Sequence, residues 1–188
     1  LLVTFEHHDD GEAYLLAAPG EGPQDIADAA HAVVRADGTL LYYAHMSTGL
    51  GDTDSDGYGD LAIVGTRLDG SGYVYVHNGP LEGEINASEA ESVVILEDTV
   101  ESIVGPGDVD GDGLDDLLVG QYGFESFTGS CSVLFGPFSG TTEIGIVYGE
   151  DSYSYTGEHT APAGDLDSDG HADILVGAWG GGDWGRGY

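Results

Sequence analysis

Short apolar runs alternate with glycine- and aspartate-rich segments along the whole chain. β-branched or aromatic runs occur at Ala32–Val34, Leu40–Tyr43, Val93–Leu96 and Ile144–Tyr148, and Gly, Asp or Ser occurs within a few residues of each. Runs of this kind predict short β-strands. No apolar stripe of helical period is longer than about two turns, and the best helical candidate, Gln24–Ala30, is short enough to be a loop turn. The pattern therefore predicts an all-β fold.

One polar segment recurs three times with the same pattern, D-x-D-x-D-G-x-x-D, at residues 52–60, 108–116 and 165–173. We call these segments loops 1, 2 and 3. The first aspartates of consecutive loops are 56 and 57 residues apart (108 − 52 and 165 − 108), and an apolar run follows each loop. About four short strands fit into each unit, which matches the blade of a β-propeller.

A second element and a fourth copy of the loop share this period. Gly72–Pro80 and Gly129–Pro137 both end in Gly-Pro, and Gly185 opens the same element in the third repeat. At the N-terminus, Glu6–Tyr14 aligns with the loops, but only Asp10 is unchanged, because Glu6, His8 and Tyr14 replace the other three aspartates. We interpret it as a degenerate copy and expect it to hold no metal. The predicted units are 1–44 (a degenerate blade), 45–98 and 99–156 (two blades), and 157–188 (a partial blade).

The repeated aspartates predict cation sites. Alternating carboxylates in a tight loop repel one another, and a hard divalent cation with oxygen ligands removes that repulsion. Glycine at the sixth position permits the sharp turn, and the residue at the seventh position can add its backbone carbonyl. The predicted ligands are Asp52, Asp54, Asp56, Tyr58 and Asp60 in loop 1; Asp108, Asp110, Asp112, Leu114 and Asp116 in loop 2; and Asp165, Asp167, Asp169, His171 and Asp173 in loop 3.

Calcium fits these loops better than other cations. Mg²⁺ dehydrates reluctantly and seldom binds in all-protein cages, and zinc sites use Cys and His at spacings that the loops lack. An EF-hand requires a bidentate glutamate at the twelfth position, where this chain has Ile63, Val119 and Val176. The sequence therefore predicts three Ca²⁺ sites in loops flanked by strands.

The aspartate loop, a following run such as Leu-Leu-Val-Gly, and then Gly-x-Val-Tyr-Val-x-x-Gly-Pro together resemble the FG-GAP repeat family. Repeats of that family form blades of the integrin α-subunit propeller and of many bacterial surface proteins. The chain departs from the family pattern because the Phe-Gly element survives clearly only at Phe135–Gly136. The resemblance implies that each loop joins the first and second strands of a blade, with second strands starting near Leu61, Leu117 and Ile174 and third strands near Tyr73 and Ser130.

Chain length limits how far such a ring can close. The 188 residues correspond to about 3.3 units of 57 residues, whereas a closed propeller typically has about four to eight blades. We therefore expect about three to four FG-GAP-type blades that do not close a ring on their own. A longer chain could supply the missing blades, identical subunits could complete them, or the arc could stay open. Because the chain begins with Leu1 rather than Met, we expect a mature form, an excised fragment or part of a longer protein.

Charge excludes several classes of function. The chain has 35 acidic residues, three arginines and no lysine, for a net charge of −32. Without a basic surface, it is not expected to bind nucleic acid or to insert into or be attracted to membranes, and chemistry that needs a lysine is excluded. Three calcium ions would change −32 only to −26. The remaining acidity favours an extracellular, saline or marine setting, where salt screens self-repulsion.

These observations predict a calcium-binding, non-catalytic structural or adhesion module, secreted or at the cell surface. Cys131 is the single cysteine, so calcium takes the stabilising place of disulfides. The expected partner is a protein or glycan ligand, or identical subunits that complete the blades. Alternatives are a carbohydrate-binding propeller with a face of tyrosines, Trp179 and Trp184, an accessory domain of a polysaccharide-degrading enzyme, and a self-assembling surface fibre.

Overall fold

The computed structural model describes residues 2–5, 11–16, 25–36, 38, 42–138, 144–180 and 186–187. In order along the chain, the strands are β1 Leu2–Phe5, β2 Glu12–Leu16, β3 Ala30–Arg35, β4 Tyr42–Gly49, β5 Leu61–Thr66, β6 Gly72–His77, β7 Gly83–Asn86, β8 Ser92–Leu96, β9 Ser102–Gly107, β10 Asp116–Gln121, β11 Ser130–Leu134, β12 Ile144–Tyr148, β13 Thr160–Gly164, β14 Asp173–Ala178 and β15 Arg186–Gly187. The helical segments are single turns: α1 at Ile26–Ala29, a 3-10 turn at Ala87–Glu89, and α2 at Phe124–Phe127, an irregular turn in which Glu125, Ser126 and Phe127 have left-handed φ angles.

The strands form four sheets, with the orders β1-β2-β3-β7, β4-β5-β6-β8, β9-β10-β11-β12 and β13-β14-β15. We number these sheets 1 to 4. None of them closes into a barrel, and the prediction of an all-β fold of incomplete propeller blades is confirmed. Among the described residues, no helix is long and apolar enough to cross a membrane. The predicted strand at Ile144–Tyr148 is β12, whereas Gln24, Leu40, Trp184 and Gly185 lie outside the described residues.

The sheets stack in chain order through their apolar faces. The first strands β1, β4, β9 and β13 contact one another in series, as the innermost strands of propeller blades do. Because successive side chains of a strand point to opposite faces, Leu117 and Val119 pack into a core with sheet 2, and Leu118 packs with Val176 of sheet 4. Cys131 lies in the latter core, where burial raises the pKa of its thiol to about 12.

Sheet 1 takes its last strand from a distant part of the chain. β7 pairs with β3 in parallel, although the other paired strands are antiparallel. Arg35 of β3 holds the three strands together, because its Nε lies 2.7 Å from Glu12 of β2 and its Nη1 lies 2.7 Å from Glu84 of β7. The segment that links β6 to β8 of sheet 2 therefore contributes β7 to sheet 1.

Candidate metal centres

Each aspartate loop joins the first and second strands of its sheet. Loop 1 lies between β4 and β5, loop 2 between β9 and β10, and loop 3 between β13 and β14. The second strands begin at Leu61, Asp116 and Asp173, and the third strands of sheets 2 and 3 begin at Gly72 and Ser130. These positions confirm, to within one residue, the topology that the family resemblance implies.

The backbone takes the same path through the three loops. The fourth and sixth positions have left-handed φ angles in every loop: Ser55 (64°) and Gly57 (89°), Gly111 (82°) and Gly113 (92°), and Ser168 (64°) and Gly170 (96°). A Cβ added to any of the three sixth-position glycines would meet nothing within 4 Å. Glycine is therefore required there for its conformational freedom and not for space.

Carboxylates shape these turns by accepting backbone N–H groups. In loop 1, Asp52 accepts the Gly57 N–H at 3.0 Å, and Asp56 accepts the Tyr58 N–H at 2.8 Å. The equivalent hydrogen bonds recur in the other loops. In loop 2, Gly113 donates to Asp108 and Leu114 donates to Asp112. In loop 3, Gly170 donates to Asp165 and His171 donates to Asp169. The carboxylates of the three loops thus share one arrangement of hydrogen bonds, which does not depend on a bound cation.

Three aspartates in each loop bring their oxygens together. One oxygen from each member lies within 4.8 Å of the other two in the groups Asp52, Asp54 and Asp60; Asp108, Asp110 and Asp116; and Asp165, Asp167 and Asp173. The third aspartate of each loop, Asp56, Asp112 or Asp169, is not a member of its group among the described residues. The full predicted ligand set, with these aspartates and the carbonyls of Tyr58, Leu114 and His171, stays a prediction.

The last aspartate of loops 1 and 2 also joins parts of the fold by hydrogen bonds. Asp60 is buried, and it accepts the backbone N–H and the hydroxyl of Thr53 with one oxygen and the Gly79 N–H at 2.8 Å with the other. Asp116 likewise accepts the Val109 N–H at 2.7 Å and the Gly136 N–H at 3.0 Å. These bonds explain the repeated Gly-Pro element, because its glycine ties the end of the third strand to the loop.

The space around Gly79 is also restricted. A Cβ on Gly79 would lie 2.7 Å from the Gly59 carbonyl oxygen, so the close approach excludes a side chain.

Burial raises the pKa of Asp116, and the neighbouring charges of Asp108 and Asp110 raise it further. A divalent cation at the cluster would favour the ionised carboxylates.

Neighbouring loops are hydrogen-bonded to each other. The eighth residue of each later loop donates its N–H to the carbonyl of the first aspartate in the preceding loop, from Asp115 to Asp52 at 3.3 Å and from Ala172 to Asp108 at 2.7 Å. The Asp115 carboxylate also accepts the Asp52 N–H at 3.0 Å. At the next junction, His171 Nδ1 lies 3.2 Å from the Val109 carbonyl oxygen. The loops therefore form a continuous series along one end of the sheets.

The donor set fits a hard divalent cation. Every converging group is a carboxylate oxygen, which is the ligand that Ca²⁺ prefers. Two unit charges about 4 Å apart repel by about 1 kcal/mol in bulk water and by about 4 kcal/mol at an effective dielectric constant of about 20. Since the clusters of loops 1 and 2 combine a half-buried and an exposed carboxylate with Asp60 or Asp116, which are buried, a cation would remove several such repulsions at once.

The degenerate N-terminal copy is described only in part. Residues 6–10 lie outside the described residues, so its predicted loss of metal stays a prediction. In the described remainder, Glu12 binds Arg35 and accepts the hydroxyl of Tyr14. A Cβ on Gly11 would overlap the Tyr43 carbonyl oxygen at 1.9 Å. The glycine that aligns with the loops therefore serves packing here.

The comparison with family models identifies the central part of the chain. Residues 102–134 match the model of the FG-GAP repeat. The chain carries an FG-GAP repeat. This FG-GAP repeat begins with the first residue of β9 and ends with the last residue of β11, so it consists of three strands with loop 2 between the first two. A comparison with curated proteins found no match to the chain.

Proposed function

We propose that the chain is a calcium-binding, non-catalytic structural or adhesion module of an extracellular or cell-surface protein. The observation that supports this most strongly is the same three-carboxylate cluster at the same place in three consecutive sheets. A cation bound there would link the first and second strands of each sheet and, through the last aspartate, the end of the third strand. Such a ligand stabilises the folded state because the unfolded loop has no preformed site.

An extracellular location is consistent with two features of the composition. A net charge of −32 requires screening by salt, and the single buried cysteine leaves stabilisation to other agents. Millimolar calcium outside cells would supply such an agent. The FG-GAP repeat adds to this, because repeats of that family build surface proteins.

Thermal unfolding in calcium, in magnesium and in chelator tests the proposal. We expect calcium to raise the melting temperature clearly above its value in chelator, and magnesium to raise it much less. The triple variant Asp54→Ala, Asp110→Ala and Asp167→Ala should melt at one temperature in all three conditions. Asp69→Ala is the matched control, because Asp69 is an exposed aspartate of a turn outside the loops. Equal melting of the wild-type chain in calcium and chelator would contradict the proposal.

One observation favours a second role, as a subunit that assembles with copies of itself. Leu118 of β10 is fully buried against sheet 4, whereas Leu175, at the equivalent position of β14, is 51% exposed. The outer face of β14 could therefore receive a further sheet, as β10 does. Light scattering in calcium distinguishes the two roles, because an assembling subunit gives a large or ring-sized particle and an isolated module gives a monomer.

A further inference from the structure

A group of aromatic side chains lies at the end of the sheets opposite the aspartate loops. Tyr122 and Phe127 come from the β10–β11 connection, Tyr153 and Tyr155 from the β12–β13 connection, and Trp179 follows β14. The ring centroids are 6.2 Å apart for Tyr122–Phe127, 6.0 Å for Phe127–Tyr153 and 4.6 Å for Tyr155–Trp179. Phe127, Tyr153 and Trp179 are 43%, 58% and 59% exposed. We call these five residues the aromatic patch.

The backbone holds the aromatic patch in a strained arrangement. Phe127, Tyr153 and Tyr155 have left-handed φ angles of 63°, 64° and 53°, which bulky residues seldom adopt. The connections are tied together, because Tyr155 donates its N–H to the Phe127 carbonyl at 3.0 Å and Gly180 donates to Ser154 at 3.1 Å. Clustered outliers of this kind are typical of binding sites, where the surrounding structure maintains them.

Two glutamates lie beside the rings. The backbone N–H of Tyr122 donates to Glu101 at 3.2 Å, and the indole N–H of Trp179 donates to Glu158. Glu101 and Glu158 are equivalent, because each precedes the first aspartate of its loop by seven residues (108 − 101 and 165 − 158). Both line a cavity of about 380 Å³ between the first strands of sheets 2, 3 and 4, which His45 of the third equivalent position also lines.

The acidic groups near the aromatic patch indicate which charge a ligand of this surface would carry. Glu125 and Asp151 are exposed on the same two connections, so the segments that carry the rings also carry acidic groups. The arginine side chains that the structure describes lie elsewhere: Arg35 pairs with glutamates in sheet 1, and Arg67 follows β5. Burial raises the pKa of Glu101 to about 7, with Asp98 and Glu158 adding repulsion. A positive group is what this surface would bind best.

The same end of sheet 2 shows how such a group would sit. There the Arg67 guanidinium lies 4.4 Å from the centroid of the Tyr73 ring, with Asp69 two residues along the turn. Cations are attracted to the face of an aromatic ring, and the attraction increases when the pair is shielded from water. Sheet 2 thus provides its own cation to an aromatic ring, whereas sheets 3 and 4 expose rings and carboxylates.

We propose that the aromatic patch, together with Glu101 and Glu158, docks a basic segment of a partner protein. Arginine or lysine side chains of that segment stack on the exposed rings, and the carboxylates neutralise their charge. This inference names a partner for the adhesion role proposed above and rests on it only in that respect. The docking surface is separate from the calcium loops, so its failure and the failure of calcium binding give different results.

The test measures binding of a short peptide of alternating glycine and arginine to the calcium-loaded full chain by calorimetry. The matched peptide has citrulline, which is neutral and nearly the same shape, in place of arginine. We expect the arginine peptide to bind, to weaken steeply with added salt, and to bind at least roughly tenfold more tightly than the citrulline peptide.

Variants of the chain locate the interaction. Trp179→Leu and Glu158→Gln should each weaken binding by roughly tenfold, while the calcium-dependent melting temperature stays unchanged. Leu68→Ala and Glu91→Gln are matched controls for lost apolar surface and lost charge, because both residues are exposed outside the aromatic patch. Equal binding of the two peptides would overturn the proposal, as would wild-type affinity in both patch variants. Binding of neutral oligosaccharides that is lost in Trp179→Leu would instead identify a sugar surface.

Discussion

The two ends of the stacked sheets differ in how they use the repeat. At the loop end, three segments repeat the same left-handed turns, carboxylate bonds and inter-loop hydrogen bonds. At the opposite end, the connection in sheet 2 is a short turn at residues 67–71, and the connection in sheet 3 is an aromatic segment at residues 122–129. The loop end repeats the same carboxylate cluster in three sheets. The variable end is free to acquire an individual binding surface.

The largest expected effect separates the two tasks of the loop aspartates. Asp60→Ala leaves the Thr53 and Gly79 N–H groups without their acceptor in a buried place. Each unsatisfied buried group costs about 1–3 kcal/mol, so we expect a loss of about 3 kcal/mol in the free energy of unfolding. Urea unfolding should show this loss in chelator and a larger loss in calcium, because Asp60 also belongs to the oxygen cluster of loop 1. A loss confined to calcium would mean that Asp60 acts only as a ligand.

Asp54→Ala should behave differently, because Asp54 is exposed and lies in the same oxygen cluster. We expect this variant, and Asp110→Ala equally, to melt like the wild-type chain in chelator and below it in calcium. The difference should approach roughly 2.7 kcal/mol when calcium is about 100 times its dissociation constant. Scanning fluorimetry across a calcium series measures it. An equal loss in chelator would remove the metal from the explanation.

Gly180→Ala tests whether the ends are independent. A Cβ there would lie 1.9 Å from the Tyr153 carbonyl oxygen, so the β12–β13 connection must move and the aromatic patch must rearrange. We expect a loss of about 1–3 kcal/mol and loss of the basic peptide's binding, with calcium stoichiometry unchanged. Gly49→Ala is the control, because its Cβ would meet nothing within 4 Å. A change in calcium stoichiometry would show that the ends are coupled.

The coupling of neighbouring loops should give a smaller effect. Asp115→Ala removes the carboxylate that accepts the Asp52 N–H, so loop 1 loses a neighbour that orients its first ligand. We expect a cost of about 1 kcal/mol and a few-fold weaker calcium affinity at loop 1, measured by calorimetry. Loop 2 offers an internal reference, because the residue of loop 3 that faces it at the equivalent position is Ala172, which has no carboxylate. Unchanged affinity at loop 1 would limit Asp115 to packing.

A further effect depends on pH and concerns Glu101. Its folded-state pKa of about 7 lies above the ordinary value of 4.5, so the fold loses stability as pH rises between these values. Glu101→Gln should therefore melt like the wild-type chain near pH 4 and above it near pH 8. Thermal scans of both proteins at matched calcium provide the comparison. A constant difference across this range would mean that the carboxyl group is not perturbed by burial.

The loop end could be predicted from sequence because aspartates recur there at a fixed spacing. Each cluster contains three of the four aspartates predicted for its loop, and the strands begin within one residue of where the family resemblance implies. Thr53 and Asp115 were missed because they occupy variable positions of the motif, where only their three-dimensional neighbours give them a role. A comparison of the three loops would have shown that Asp115 is an additional acid, but not what it binds.

The aromatic end could not be predicted for a different physical reason. Tyr155 and Trp179 are 24 residues apart (179 − 155), and the antiparallel pairing of β13 with β14 brings their rings to 4.6 Å. The pairing of β7 with β3 is also nonlocal, because Arg35 and Glu84, which form an ion pair between the two strands, are 49 residues apart (84 − 35). The one available signal was the equivalence of Glu101 and Glu158 in the repeat, which marks a shared position without indicating its use.

Counting bound calcium tests the central claim most directly. Equilibrium dialysis followed by atomic absorption gives the number of calcium ions per chain for the wild-type protein and for Asp54→Ala. Three clusters predict three ions in the wild-type chain and one fewer in the variant. The same number in both proteins, or none in either, would contradict the assignment of these loops as calcium sites.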